Sequence, residues 1–76
     1  MIDTNQELDA RGLNCPLPIL RTKKAIAAMA SGETLRVIAS DPGSLKDMES
    51  FCRQTGNPLI ASEQQGDDFV FVVERA

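Results

Sequence analysis

Apolar and polar residues alternate in short stretches at both ends of this chain and in its middle, and between them they recur at helical spacing. Gln6 to Ala10 sets Leu8 and Ala10 on one side and predicts a strand. Arg11-Gly12-Leu13-Asn14 then reads as a loop in which Gly12 allows a tight turn. From Cys15 or Pro16 to Ala30 the residues are good helix formers, ending at the stop signal Ser31-Gly32. Prolines suit a first helical turn, where a missing N–H costs nothing, and Pro16 and Pro18 both fall there. At 100° per residue Ile19, Leu20, Ile26, Ala27 and Ala30 gather on one face; Lys23 falls within that arc, its stem expected to pack while its ammonium reaches water.

Thr34 to Ser40 alternates Leu35, Val37 and Ala39 against Ile38 and ends at Asp41-Pro42-Gly43, so it reads as a second strand and a turn. Ser44 with Asp47 resembles a capping box, and Leu45, Met48 and Cys52 follow at helical spacing up to Thr55-Gly56, predicting a second helix. Pro58 to Gln64 and Asp68 to Glu74 flank Gln65-Gly66-Asp67 and read as an antiparallel hairpin, with Phe69, Phe71 and Val73 facing one way and Val70 and Val72 the other.

The order βαβαββ with short linkers predicts an α/β two-layer sandwich over residues 1–76: a four-stranded mixed sheet with two helices on one face. Val70, Val72 and Ile38 are then expected on the opposite, exposed face. Strands joined by a crossover run parallel and send their following helices off the same sheet edge. That topology gathers Arg11, Gly12, Cys15, Pro16, Asp41 and Ser44 into one composite surface.

With 76 residues there is room for a single small core, and the absence of Trp and Tyr leaves that core to aliphatic residues, Met and three Phe. A net charge of −3 without a basic run argues against direct binding of nucleic acid. The start Met1-Ile2-Asp3-Thr4-Asn5-Gln6 has no signal-peptide pattern, and no apolar run is long enough to cross a bilayer, so a cytoplasmic, non-membrane protein is expected. With no histidine and only Cys15 and Cys52, neither a zinc site nor a Cys/His pair can be assembled, and no cofactor is expected.

Candidate chemistry therefore rests on Cys15. A helix start favours the thiolate over the thiol, and two prolines hold the side chain outward. Arg11 would reinforce that effect, whereas Asp9 and Asp41 would oppose it. The structural reading is a small apolar residue at a loop–helix junction. Cys52, in phase with Leu45 and Met48, is expected to pack inward, too far from Cys15 to form a disulfide.

The run Asp9-Ala10-Arg11-Gly12-Leu13-Asn14-Cys15-Pro16-Leu17-Pro18 resembles the TusA family, also called SirA-like. The likeness continues through Gly32-Glu33-Thr34-Leu35, Asp41-Pro42-Gly43-Ser44, Phe51-Cys52, Thr55-Gly56 and the closing hairpin. It implies a sulfur carrier whose Cys-Pro-x-Pro cysteine, here Cys15, takes sulfane sulfur as a persulfide, with Arg11, Gly12, Pro16, Pro18 and Asp41 in support. It further implies a cysteine desulfurase or rhodanese-type donor and a downstream relay protein as acceptor, serving tRNA 2-thiouridine synthesis or dissimilatory sulfur oxidation. Asp9 to Lys24 is more similar to the carriers of sulfur-oxidising bacteria. A monomer is expected, docking through acidic or mixed polar patches at the sheet-edge loops, or through Arg11, Arg21, Lys23 and Lys24. The alternatives are a regulatory module using the same surface without transfer chemistry, and a peroxide or disulfide sensor.

Overall fold

The computed structural model describes residues 6–76; Met1 to Asn5, part of the segment read for a leader, lie outside the described residues. The alternating stretches form β1 (Gln6–Ala10), β2 (Thr34–Ala39), β3 (Leu59–Gln65) and β4 (Asp68–Glu74), and the helices are α1 (Leu17–Ala27) and α2 (Ser44–Thr55). One four-stranded sheet has the order β1-β2-β4-β3. β1 and β2 pair in parallel, Leu8 opposite Val37 and Ala10 opposite Ala39, while β4 runs antiparallel to both β2 and β3. The βαβαββ sandwich expected from the pattern is thus the observed fold, and the β1–α1–β2 crossover lies within one sheet.

Each strand turns one set of alternate residues towards the helices. Ala10, Leu35, Val37, Ala39, Phe71 and Val73 form a single cluster with Ile26 and Met29 from α1 and its C-terminal turn and with Met48, Phe51 and Cys52 from α2. Period-two patterning is enough to specify this set, because a one-residue slip would turn all of it outward.

The opposite face is less open than the pattern predicts. Val70 and Val72 are buried and Ile38 is half-buried. β4 is an inner strand, so its side chains have neighbours on both sides: Arg36 and Ala61 flank Val72, and Ile38 and Glu63 flank Val70. Ion pairs of Arg36 with Glu7 at 3.1 Å and of Arg11 with Asp9 at 2.9 Å also lie on this face.

Helix α1 differs from its expected form in phase and length. Its buried stripe is Pro18, Thr22 and Ile26, whereas Leu20 is 53% exposed and Lys23 and Ala27 are exposed too. Thr22 can occupy the core because its hydroxyl donates to the Pro18 carbonyl at 2.8 Å, leaving no polar atom unpaired. A reading that sorts residues as apolar or polar places Thr22 outside and so turns the helix too far.

The helix also stops before Ala30. The Arg75 guanidinium contacts the carbonyls of Ile26 (3.0 Å), Ala27 (3.3 Å) and Met29, all at the end of α1. Gly32 N donates to the Arg75 carbonyl at 2.7 Å and Arg75 N donates to that of Glu33 at 2.8 Å, which fixes the clamp to the β2 entry. A cation at a helix C-terminus satisfies orphan carbonyls and opposes the dipole. Replacing Arg75→Met, which keeps the stem and removes the donors, is expected to cost about 1–2 kcal/mol of stability, measurable as a lower denaturation midpoint in urea with an unchanged slope.

Candidate functional site

Two loops meet at the sheet edge where β1 and β2 both end. Gly12, at φ 82°, turns the first loop so that its N–H donates to the Ser40 hydroxyl at 2.8 Å. The Asp41 carboxylate, from the second loop, accepts the backbone N–H of Cys15 at 3.0 Å. Ser44, buried at the first residue of α2, donates its hydroxyl to the Asp41 carbonyl at 2.7 Å and holds that residue in place. An added Cβ at Gly43 would lie 3.3 Å from the Asp41 carboxylate, a tight contact that would press on the oxygen holding the Cys15 amide.

Cys15 is exposed, as its flanking prolines suggest. It precedes a cis Pro16, which occupies the N-cap position, and α1 starts only at Leu17. The thiol therefore stands outside the first helical turn, beyond the place where the dipole acts most strongly.

What the thiol does meet is Asp47. Its Sγ donates to an Asp47 carboxylate oxygen at 2.7 Å. This hydrogen bond, followed by desolvation and the charges of Asp47 and Asp41, pushes the Cys15 thiol above its ordinary pKa. The helix-start argument expects the reverse. The carboxylates outweigh the dipole because one of them touches the sulfur and both carry full charges.

Arg11 supplies no counterweight. Its guanidinium is bound by both Asp9 oxygens, at 2.9 and 3.0 Å, and comes within 3.9 Å of Asp68, all towards the helix-free face. That pairing holds the Asp9 carboxyl at about 2. Of the expected supporting residues, Gly12, Pro16 and Asp41 converge on Cys15. Pro18 turns into the core under α1, and Arg11 shapes the other face.

Asp47 was legible only as half of a capping box, and that box does not form. α2 has no side-chain cap, Ser44 is bound to Asp41 instead, and the Asp47 carboxylate reaches the other helix's cysteine. The topology offered the missing signal, since an acid in the first turn of α2 lies beside whatever precedes α1. Next to the sulfur opens a cleft of about 210 Å³, walled by Pro16 and Ile19 on one side and Phe51 on the other, with Ser50 and Gln54 also lining it.

Cys52, by contrast, is 6% exposed, inside the cluster under α2, and burial pushes its thiol up. Both cysteines are free. Among the described residues no group of three or more His, Cys, Asp or Glu is placed to hold a metal ion, and no helix is long and apolar enough to cross a membrane.

Comparison with known proteins agrees over nearly the whole length. The family model described as sulfurtransferase TusA matches residues 6–75. The sulfur carrier protein TusA of Allochromatium vinosum is 57% identical over 76 residues, all of both chains. A putative sulfur carrier protein of Neisseria meningitidis serogroup A is 50% identical over 70 residues, 92% of this chain and 95% of that one. The crystal structure of a SirA-like protein from Desulfitobacterium hafniense superposes with a TM-score of 0.78 at 23% identity, over 91% of this chain and 95% of that one, which supports the shared fold.

The two thiols should separate cleanly in native alkylation with iodoacetamide followed by peptide mapping. Cys15 is expected to react first, with a pH midpoint above that of an ordinary thiol, and Cys52 only after unfolding. Asp47→Asn removes the charge that stabilises the protonated sulfur, so it is expected to lower the Cys15 midpoint and speed alkylation at neutral pH.

Proposed function

The chain belongs to the TusA sulfurtransferase family by its match over residues 6–75, and from that membership we propose that the sulfur it carries rides on Cys15 as a persulfide. The carrier activity itself is the family's: sulfane sulfur is accepted from one protein and passed to the next in a relay. The observation that carries the assignment to Cys15 is its exposure at the head of the Cys-Pro-x-Pro segment, beside an open cleft, while the other cysteine lies in the core.

The site suits a carrier better than a hydrolase. Among the described residues no imidazole stands by the sulfur, and the two loops that hold it are tied by backbone and carboxylate bonds that keep it outward. A partner must therefore bring the rest of the transfer machinery. In our reading the donor is a cysteine desulfurase or a rhodanese-type protein that presents a persulfide of its own, and the acceptor is another thiol protein of a relay. The end use is tRNA 2-thiolation or sulfur oxidation.

In this reading donor and acceptor both approach the sheet edge that carries the exposed thiol and its cleft. Leu17 and Leu20, in the first turn of the helix that follows Cys15, are 44% and 53% exposed and are available for apolar contact with a docked protein.

Incubation of the reduced protein with a cysteine desulfurase and cysteine, read by intact mass and peptide mapping, tests the assignment. A reductant-reversible gain of one sulfur atom on Cys15, absent from Cys52 and from Cys15→Ser, is the expected result. No gain from any donor while Cys15 still alkylates freely would favour a regulatory module that uses this surface without transfer chemistry.

A further inference from the structure

The contact between Cys15 and Asp47 bears on the direction of transfer as well as on the reactivity of the thiol. The sulfur donates to a carboxylate at 2.7 Å, so the empty carrier is stabilised in its protonated form. The charged groups that bear on the sulfur are Asp47, from α2, and Asp41, from the loop before it. The ion pairs among the described residues engage Asp9, Asp68 and Glu7 with Arg11 and Arg36, and those pairs include neither Asp41 nor Asp47. Ser50 and Gln54, which also line the cleft, are neutral.

Loading reverses the sign of that interaction. A persulfide is more acidic than a thiol, so at neutral pH the loaded carrier holds an anionic outer sulfur where the empty one holds a proton. The cleft beside Sγ, with Asp47 in its lining, offers room for that outer sulfur and keeps it near the carboxylate. A carboxylate that accepted a hydrogen bond from the thiol now faces a like charge.

We propose that Asp47, in contact with the reacting sulfur, sets the transfer potential of Cys15, stabilising the unloaded thiol and destabilising the loaded persulfide anion so that sulfur is passed on readily. This rests on the assignment of the persulfide to Cys15. The step is redox-neutral. The Cys15 sulfur attacks the terminal sulfur of a donor persulfide and a new S–S bond forms at Cys15. The donor's S–S bond breaks, and its electron pair leaves on the donor sulfur, which takes the proton that Cys15 gives up. Asp47 acts on both sides of this exchange, holding that proton before attack and opposing the anion after it.

The test is an exchange equilibrium between the purified protein and a fixed ratio of glutathione persulfide to glutathione at pH 7.5. Loaded and unloaded Cys15 are trapped by alkylation and counted by intact mass. Asp47→Asn is expected to raise the loaded-to-unloaded ratio about tenfold, as one unit of differential ionisation would, and Asp47→Glu, which keeps the charge, to stay near wild type. Added salt, which screens exposed charges, should narrow the gap. Asp47→Ser serves as a second neutral variant, with circular dichroism confirming that each is folded. Equal ratios in wild type and the folded neutral variants would overturn the inference while leaving the carrier assignment standing. A wild-type Cys15 that never loads, from this pair or from a desulfurase, would overturn the carrier assignment and this inference together.

Discussion

The parallel pairing of β1 with β2 is the constraint on which the site depends. Parallel strands must be joined by a crossover, here α1, and their C-terminal ends then lie side by side. The loops that leave those ends are thereby neighbours although 26 residues separate Cys15 from Asp41. Everything at the sulfur follows from this adjacency: Ser40 receives the Gly12 amide, Asp41 receives the Cys15 amide, and the first turn of α2 delivers Asp47 to the thiol. Nothing near Cys15 in sequence supplies these groups.

Electrostatics at such an edge is a contest between fixed dipoles and movable charges. A helix N-terminus offers about half a positive charge spread over several N–H groups. Here α1 begins at Leu17, so that field reaches Cys15 from beyond the cap, whereas a carboxylate touches it. The nearer and larger charge wins, and the thiol is held protonated. For a group that is to change hands between proteins, a resting state of low nucleophilicity limits loss to stray electrophiles.

Much of this was legible in the amino-acid sequence, and the limits have physical reasons. Strand alternation specified the sheet, the crossover and the shared edge, because period two admits only one register of Leu35, Val37 and Ala39 towards the helices. The reactive cysteine was legible from its prolines, and Asp41 from its place in the facing turn. What was hidden lay in pairings between distant residues. Thr22 is polar by type, yet Pro18 accepts its hydrogen bond in the core; Arg75 carries no pattern in the sequence that points to the end of α1; and Asp47 looked like a cap until it met a sulfur. Arg11 erred in the other direction, since proximity in sequence suggested service to Cys15 while Asp9, only two residues away, had already claimed it.

The place of β4 carries a consequence for how the molecule is made. The last strand in chain order lies between β2 and β3, and the arginine that follows it closes the end of α1. As a ribosome delivers the chain from its N-terminus, β2 has no partner on that side, β3 has none at all, and α1 has no clamp until β4 and Arg75 emerge. The contacts that place two loops around the sulfur are all made within residues 6–47, but the sheet edge that carries them has its inner strand, and α1 its clamp, only after these later pairings form. A nascent chain that has yet to release β4 thus holds the cysteine and both its carboxylate neighbours on a two-stranded edge that nothing yet supports from the far side.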